Sequence, residues 1–360
     1  MGVTRIAVVG AGISGLAAAW EVKRGSAEAV VLESERHAGG VIVTERRDGF
    51  IVEGGPDGFL AAEPELQQLA AELGITDRLV DQIARGSFVW TGRHLDRLPE
   101  GRAAALLGIT DIAQEELQKG FRSFATGMAD ITDALAARLG SAVQYAHGVA
   151  TIEPSRNGYR IAITGEPAAE FDGVILATPA WEAARLLAPL GIPSRELDNV
   201  VYHPSLTVSL AYRQEHVPAT LEGTGFVTDP EAGGAVRACT FASQKYPGRA
   251  PAGSRLLRAF LTPADGDAAA LAHAELAPIL GISGTPLWAR AFSWARGLPR
   301  YAPGHAQSVA ELRRELTRLP PVAIAGAGVD GAGVSACVRS GREAARTVLG
   351  NWHHATRINT

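Results

Sequence analysis

The chain has 360 residues, 46% of them hydrophobic, and 34 Lys and Arg against 38 Asp and Glu for a formal net charge of −4. So apolar a chain can bury a sizeable core, which excludes extensive disorder, and its length suggests two domains. The negative charge and the lack of a basic cluster exclude a nucleic-acid footprint, and two cysteines, Cys239 and Cys337, are too few for a disulfide framework or a cysteine-rich metal site.

Arg5–Val9 is a short β-branched run and reads as a buried parallel strand. It starts too early to leave room for a secretory signal, and no stretch reaches the ~18 apolar residues of a membrane span. A soluble cytoplasmic protein with no integral membrane segment is therefore expected. The strand enters Gly10-Ala11-Gly12-Ile13-Ser14-Gly15, and Leu16–Val22 reads as a helix. Ala29–Leu32 is a second strand, ending at Glu33, eighteen residues after Gly15. This is a dinucleotide-binding fingerprint in its strand–turn–helix context. Gly10 permits the tight turn, Gly12 lets the backbone approach a pyrophosphate, and Gly15 allows close helix–strand packing. The pyrophosphate sits on the helix N-terminus, where free N–H groups and the dipole favour anions. Glu33 is placed to accept hydrogen bonds from the adenosine ribose. The fingerprint alone leaves FAD and NAD open.

Glu33-Ser34-Glu35-Arg36-His37-Ala38-Gly39-Gly40 puts a glycine pair six and seven residues past that acid. The segment resembles the glycine-pair element of the amine oxidase and protoporphyrinogen oxidase superfamily of FAD enzymes. The resemblance implies FAD as the cofactor, with Ser34, Gly39 and Gly40 beside it. His37 stands where that family usually has Arg, and Val41 replaces a usual basic residue, so Arg36 is expected to compensate.

Further along, Gly55-Pro56-Asp57-Gly58 looks like the element that lies beside the flavin in the protoporphyrinogen/coproporphyrinogen oxidase branch. Glu63–Asp77 reads as an amphipathic helix stopped by Gly74, and Phe88–Arg93 with Leu98–Gly101 resembles the strand pair of that branch at the entrance to its substrate domain. Met128–Leu139 reads as a helix and Ala142–Tyr145 as a strand. By resemblance, Val149 holds adenine with its backbone amide. Asn157-Gly158 marks a hairpin turn between Thr151–Pro154 and Tyr159–Thr164. Leu206–Tyr212, Gly225–Thr228, Ala235–Phe241 and Arg255–Leu261 read as strands of a substrate sheet. Lys245 is assigned to a surface bend within it. Trp294 is placed by the resemblance against the flavin, a core aromatic role remaining open, and His305 is read as a structural turn histidine. The closing turn and helix, with Asp330, Ala332, Gly333 and Val334, are implied to hold the ribityl and pyrophosphate. Cys337 is read as packed.

Between Gly101 and Gly127 relatives of this branch carry a helical subdomain of over a hundred residues, and here only twenty-five stand, with Ile112–Lys119 as a remnant helix. The loss opens the substrate face, which a partner or a second protomer could close. The expected architecture is an α/β two-domain flavoprotein. A discontinuous Rossmann-like FAD-binding domain (1–57, 127–190, 286–350) carries an inserted mixed β-sheet substrate domain (58–126, 191–285), and 351–360 forms a tail. The expected activity is FAD-dependent oxidation of a porphyrinogen, coproporphyrinogen III or protoporphyrinogen IX, with oxygen as acceptor. The alternatives are an amine or small-molecule tailoring oxidase derived from that family, and a non-catalytic flavin-binding partner of a full-length oxidase. No general acid or base is assigned.

Overall fold

A computed structural model describes residues 3–99, 102–106, 113–218, 222–263 and 266–358. Five parallel strands form its first sheet, in the order Val143–Gln144, Glu28–Leu32, Arg5–Val9, Gly173–Leu176 and Val322–Ile324. These are continuous apolar runs because both faces are covered, as a parallel sheet requires. On one face the first helix, Ile13–Arg24, packs against the last, Val334–Ile358, through Ala17, Ala18, Val338 and Ala345. Small residues there bring the two helices close. The other face is covered by Leu186, Leu187, Leu312 and Leu316 from the helices Ala180–Leu187 and His305–Leu316. Because the five strands are parallel, their C-terminal ends share one edge, and the strand order reverses at Arg5–Val9, the point on that edge where ligands of such sheets bind.

The second sheet has seven strands, in the order Trp288–Arg300, Val201–Arg213, Ser254–Leu261, Val236–Thr240, Gly225–Thr228, Ser87–Trp90 and Leu95–Leu98. The helix Ala268–Leu280 covers one of its faces through Ala272, Leu276 and Leu280. Its first turn is satisfied by Asp267, whose Oδ1 accepts from Ala269 N at 2.9 Å and Ala270 N at 3.1 Å. Asp267→Ala is expected to cost about 1 kcal/mol, read as a lower urea midpoint at unchanged slope.

Most elements read from the sequence are present: Gly225–Thr228 matches in full, and Ser155 N donates to Gly158 O at 2.8 Å across the hairpin turn. The helix inside 63–77 covers Glu65–Leu73 and ends at Gly74 in the left-handed region (φ 74°), with Leu66, Leu69, Ala70 and Leu73 buried. The strand read at Leu98–Gly101 lies instead at Leu95–Leu98. Three further features differ. Trp288–Arg300 is an edge strand of the seven-stranded sheet, whereas the sequence placed everything from 286 in the cofactor unit. Pro299 is tolerated because only one edge of that strand is paired. The last helix continues through Ile358 into the segment read as a tail. The bend at Lys245 is the end of a short helix, Ala242–Lys245. Between the strands Leu95–Leu98 and Phe121–Phe124 stand two five-residue helices, Arg102–Leu106 and Gln114–Gln118. Glu100, Gly101 and Ile112 lie outside the described residues.

Candidate active site

A groove of about 410 Å³ runs along the C-terminal edge of the parallel sheet. Gly10 turns the chain with φ 100°, and a Cβ on Gly15 would lie 1.9 Å from Gly10 O, so the helix can start this close to the strand only with glycine there. The first helix has Gly12 as N-cap and no side-chain cap, which leaves first-turn N–H groups facing outward. A Cβ on Gly12 would meet nothing within 4 Å, so that position borders open space in front of the helix dipole. Gly39 N donates to Ala11 O at 2.9 Å, folding the second glycine pair over the same turn. Glu33, 8% exposed, accepts from Ala11 N at 2.6 Å through Oε2, and from Glu35 N at 2.8 Å and Ser34 Oγ at 3.1 Å through Oε1. Its carboxylate is thereby fixed at the groove, with lone pairs left for a diol.

Gly10, Gly12, Ile13, Ser14, Glu33, Ser34, Gly39, Gly40 and Val149 line this groove together, while Ala11 and Leu16 are buried beneath it. Sequence reasoning missed the opposite wall. Trp181 stands edge-on to Tyr202 at 4.5 Å, Arg296 lies over the Trp181 ring at 4.6 Å, and Tyr202 Oη accepts from Ala180 N at 3.0 Å. Nothing local in the sequence marks this wall, because Trp181, Tyr202 and Arg296 come from three separate elements. Gly326, Ala327, Gly328 and Cys337 supply the groove's far end; Ala332, Gly333 and Val334 lie just beyond it, at the start of the last helix. Asp330 does not line the groove: its Oδ2 accepts from Arg313 Nη2 at 2.7 Å and from Ser340 Oγ, which itself accepts from Gly326 N. It positions the glycine turn. Trp294 is not part of the groove lining, and its Nε1 donates to Gly54 O at 2.8 Å. His305 stacks on Tyr301 and bonds Val329 O at 3.0 Å, a structural role as read. Burial pushes the Cys337 thiol up to about 11, so it is protonated at neutral pH.

The strip Gly54–Asp57 joins this groove to a second cavity. A Cβ on Gly55 would lie 1.8 Å from the carbonyl oxygen of Val41, a groove residue, and Asp57 lines the cavity. The cavity measures about 440 Å³ and has apolar walls from Phe121, Phe226, Val227 and Phe260, with Gln82 and Arg85 at one side. Its floor is charged. Lys245 Nζ reaches both oxygens of Asp57, at 3.0 and 2.9 Å, with the side chains 13% and 23% exposed. The assignment of Lys245 to a surface bend is thus corrected: the turn that exposes its backbone sends the ammonium inward, between the rings of Phe121 and Tyr246. Behind the pair, Arg249 Nη2 donates to Ser123 Oγ at 2.6 Å and stands 3.5 Å from Glu53 Oε1. Glu53 also accepts from Thr44 Oγ1 at 2.6 Å and Met128 N at 2.9 Å. Arg258, 5% exposed, lies over Phe260. Burial raises Glu53 above the ordinary carboxylate range despite Arg249. Burial acts on Asp57 in the same sense, but Lys245, Arg258 and Arg249 outweigh it and hold Asp57 below that range.

The profile of flavin-containing amine oxidoreductases matches residues 103–349, and that of NAD(P)-binding Rossmann-like domains residues 8–73. The chain belongs to the flavin-containing amine oxidoreductase family. The chain is 25% identical to the coproporphyrinogen III oxidase of Bacillus subtilis (strain 168), over 97% of its own length and 98% of the relative's. It is 27% identical to that of Mycobacterium tuberculosis (strain H37Rv), over 95% and 96%. The Bacillus alignment spans 467 positions, so at least the excess over 360 faces a gap in this chain. Its fold superposes with TM-score 0.85 on a crystal structure from Exiguobacterium sp. 255-15 provisionally named a protoporphyrinogen oxidase (23% identity, 97% of this chain, 100% of that one). Cyclohexylamine oxidase from Brevibacterium oxydans gives 0.77 at 14% identity, covering 97% and 99%. FAD is the cofactor of this family, and the residues present fit it: an uncapped helix start before open space, and a fixed acid one strand away. Among the described residues no helix is long and apolar enough to cross a membrane.

Proposed function

We propose that this cytoplasmic enzyme oxidises a porphyrinogen, coproporphyrinogen III or protoporphyrinogen IX, to the porphyrin, with oxygen as the final acceptor. The observation that carries this reading is the apolar cavity with cationic side chains, joined by Gly54–Asp57 to the dinucleotide groove. Relatives named for porphyrinogen oxidation over nearly the whole chain support it. Bound FAD would supply two-electron oxidation at the methylene bridges between pyrroles, each round taking a hydride from carbon and releasing a proton, and three rounds with three O₂ convert the macrocycle to porphyrin and three H₂O₂. In this reading Gly12 and the first-turn amides bind the pyrophosphate, Glu33 the ribose, and Gly39 and Gly40 close over both. Phe121, Phe226 and Phe260 hold the macrocycle and exclude water from its face. The ion pair of Asp57 and Lys245 fixes the strip on which groove and cavity meet. A second protomer or a partner protein closes the cavity's open side.

The test is an anaerobic titration of the FAD-loaded protein with coproporphyrinogen III, followed near 450 nm. Bleaching, then recovery in air with porphyrin fluorescence, is expected. A flavin bleached only by amines would replace the substrate with an amine, and one bleached by neither would make the chain a non-catalytic flavin carrier.

A further inference from the structure

Among the described residues that line the dinucleotide groove, Arg296 is the one cation, and Glu33 and Glu182 are the carboxylates. Glu182 is already neutralised by Arg185, whose Nε and Nη2 lie 2.9 and 2.5 Å from its oxygens. Arg296 forms no salt bridge among the described residues. Its guanidinium rests on the Trp181 ring, 4.6 Å from the centroid, and Tyr202 backs that ring edge-on at 4.5 Å. Stacking uses the flat face of the guanidinium and leaves its edge N–H groups to donate. The two partners come from different sheets: Trp181 opens the helix Ala180–Leu187 over the parallel sheet, and Arg296 stands on the edge strand of the seven-stranded one. A Cβ on Gly10 would lie 2.7 Å from Ala177 O and 3.6 Å from Thr178 Cγ2, so the run leading to Trp181 packs on the glycine turn itself. Arg36, expected from the sequence to make up for His37 and Val41, is exposed and does not line the groove.

The pyrophosphate of FAD brings two negative charges to this groove. The helix dipole answers them with the equivalent of about half an elementary charge, and Glu33, fixed beside the turn, adds a negative one. The cofactor domain alone therefore leaves the phosphates under-neutralised. We propose that Arg296 is the cofactor-binding residue that supplies the missing cation, donating to the pyrophosphate from across the groove with Trp181 as its seat. Arg36 has no part in this, and the cofactor is held from both sheets at once, by the first-turn amides of the parallel sheet's first helix and by the edge strand of the second sheet. A planar fork held on an aromatic ring is pre-organised for two phosphate oxygens, so little side-chain entropy is lost when the cofactor enters.

Titration of the apoprotein with FAD, and competition against it by ADP, which carries a pyrophosphate and no flavin, separate a phosphate contact from a ring contact without any turnover. Arg296→Gln is expected to weaken FAD about tenfold, the scale of one charge-assisted hydrogen bond, and ADP by the same factor, with 0.5 M NaCl shrinking both losses. Arg296→Lys should retain part of the affinity, because an ammonium keeps the charge without the planar fork. Arg36→Gln, and Arg156→Gln on the remote hairpin turn, should each leave FAD binding within about twofold of the wild type. All three arginines are exposed, so the variants keep the fold, and an unchanged urea midpoint of each apoprotein checks this. FAD weakened with ADP unaffected would move Arg296 to the flavin ring and overturn the proposal. So would FAD binding that is unchanged in Arg296→Gln, or a loss in Arg36→Gln as large as that in Arg296→Gln. None of these outcomes bears on the porphyrinogen reading, which the bleaching titration tests by itself.

Discussion

Asp57→Asn is expected to destabilise the protein by about 3 kcal/mol, and Lys245→Met by clearly less, although both break the same ion pair. The asymmetry comes from counting the charges around the cavity floor. Lys245, Arg249 and Arg258 face Glu53 and Asp57, an excess of one positive charge in a largely buried cluster. Removing the acid doubles the excess and strands Lys245 between Phe121 and Tyr246, whereas removing the base brings the cluster to neutrality. Among the described residues Arg249 Nη1 and Arg258 Nε already lack hydrogen-bond partners, so these residues offer no spare acceptor to take up the loss. Urea unfolding of both single variants and the double variant measures the order and the coupling. A Lys245→Met protein less stable than Asp57→Asn would show that the positive excess does not govern this cluster.

The same cluster sets an acid limb. Asp57 is held below the ordinary carboxylate range in the folded state, so it stabilises the fold fully above the unfolded value of about 3.9 and loses that contribution as pH falls through the folded value. Glu53 is shifted the other way by burial: its contribution is present below the ordinary range and is lost as pH rises through its folded value. Between pH 5 and pH 3 the two partly cancel in the wild type. Asp57→Asn removes only the first, so its stability should fall less steeply with acid than the wild type's.

These charges were invisible in the sequence because Asp57 and Lys245 lie 188 residues apart, and nothing in either local run marks the other. Lysine in a turn reads as solvated, and only the packing of the short helix Ala242–Lys245 against Ser254–Leu261 turns it inward. The groove was legible for the opposite reason. Gly10, Gly15 and Gly39 answer to constraints within one turn, either a positive φ or a Cβ that would strike backbone, and such constraints leave a fixed spacing. The edge strand Trp288–Arg300 lies between these cases. Its alternation is broken by Gly297 and Pro299, so the sequence shows a turn-rich segment where pairing with Val201–Arg213 draws out a thirteen-residue strand. That strand carries Arg296 to the groove's far wall, the part of the site the sequence did not reveal.

Gly12→Ala and Gly15→Ala, three residues apart, are expected to separate FAD binding from folding. At Gly12 the backbone (φ −67°, ψ 173°) suits alanine, and the added methyl meets no protein atom within 4 Å. The entropy gained by restricting the unfolded chain is offset by alanine's poorer N-cap, so apoprotein stability should stay within about 0.5 kcal/mol of the wild type. The methyl nonetheless occupies the space in front of the helix N-terminus. If the pyrophosphate lies there, FAD affinity falls about 100-fold, the equivalent of about 2.7 kcal/mol. At Gly15 the methyl would stand 1.9 Å from Gly10 O and 3.2 Å from the Ala177 Cβ, and neither neighbour can rotate away. The helix has to move off the strand, so stability falls by about 3 kcal/mol and FAD binding falls with it. Flavin-fluorescence titration beside urea unfolding of the apoprotein reads both quantities. A Gly12→Ala protein that binds FAD like the wild type would remove the pyrophosphate from this turn, whereas one that loses stability with its FAD would mean that Gly12 serves the backbone.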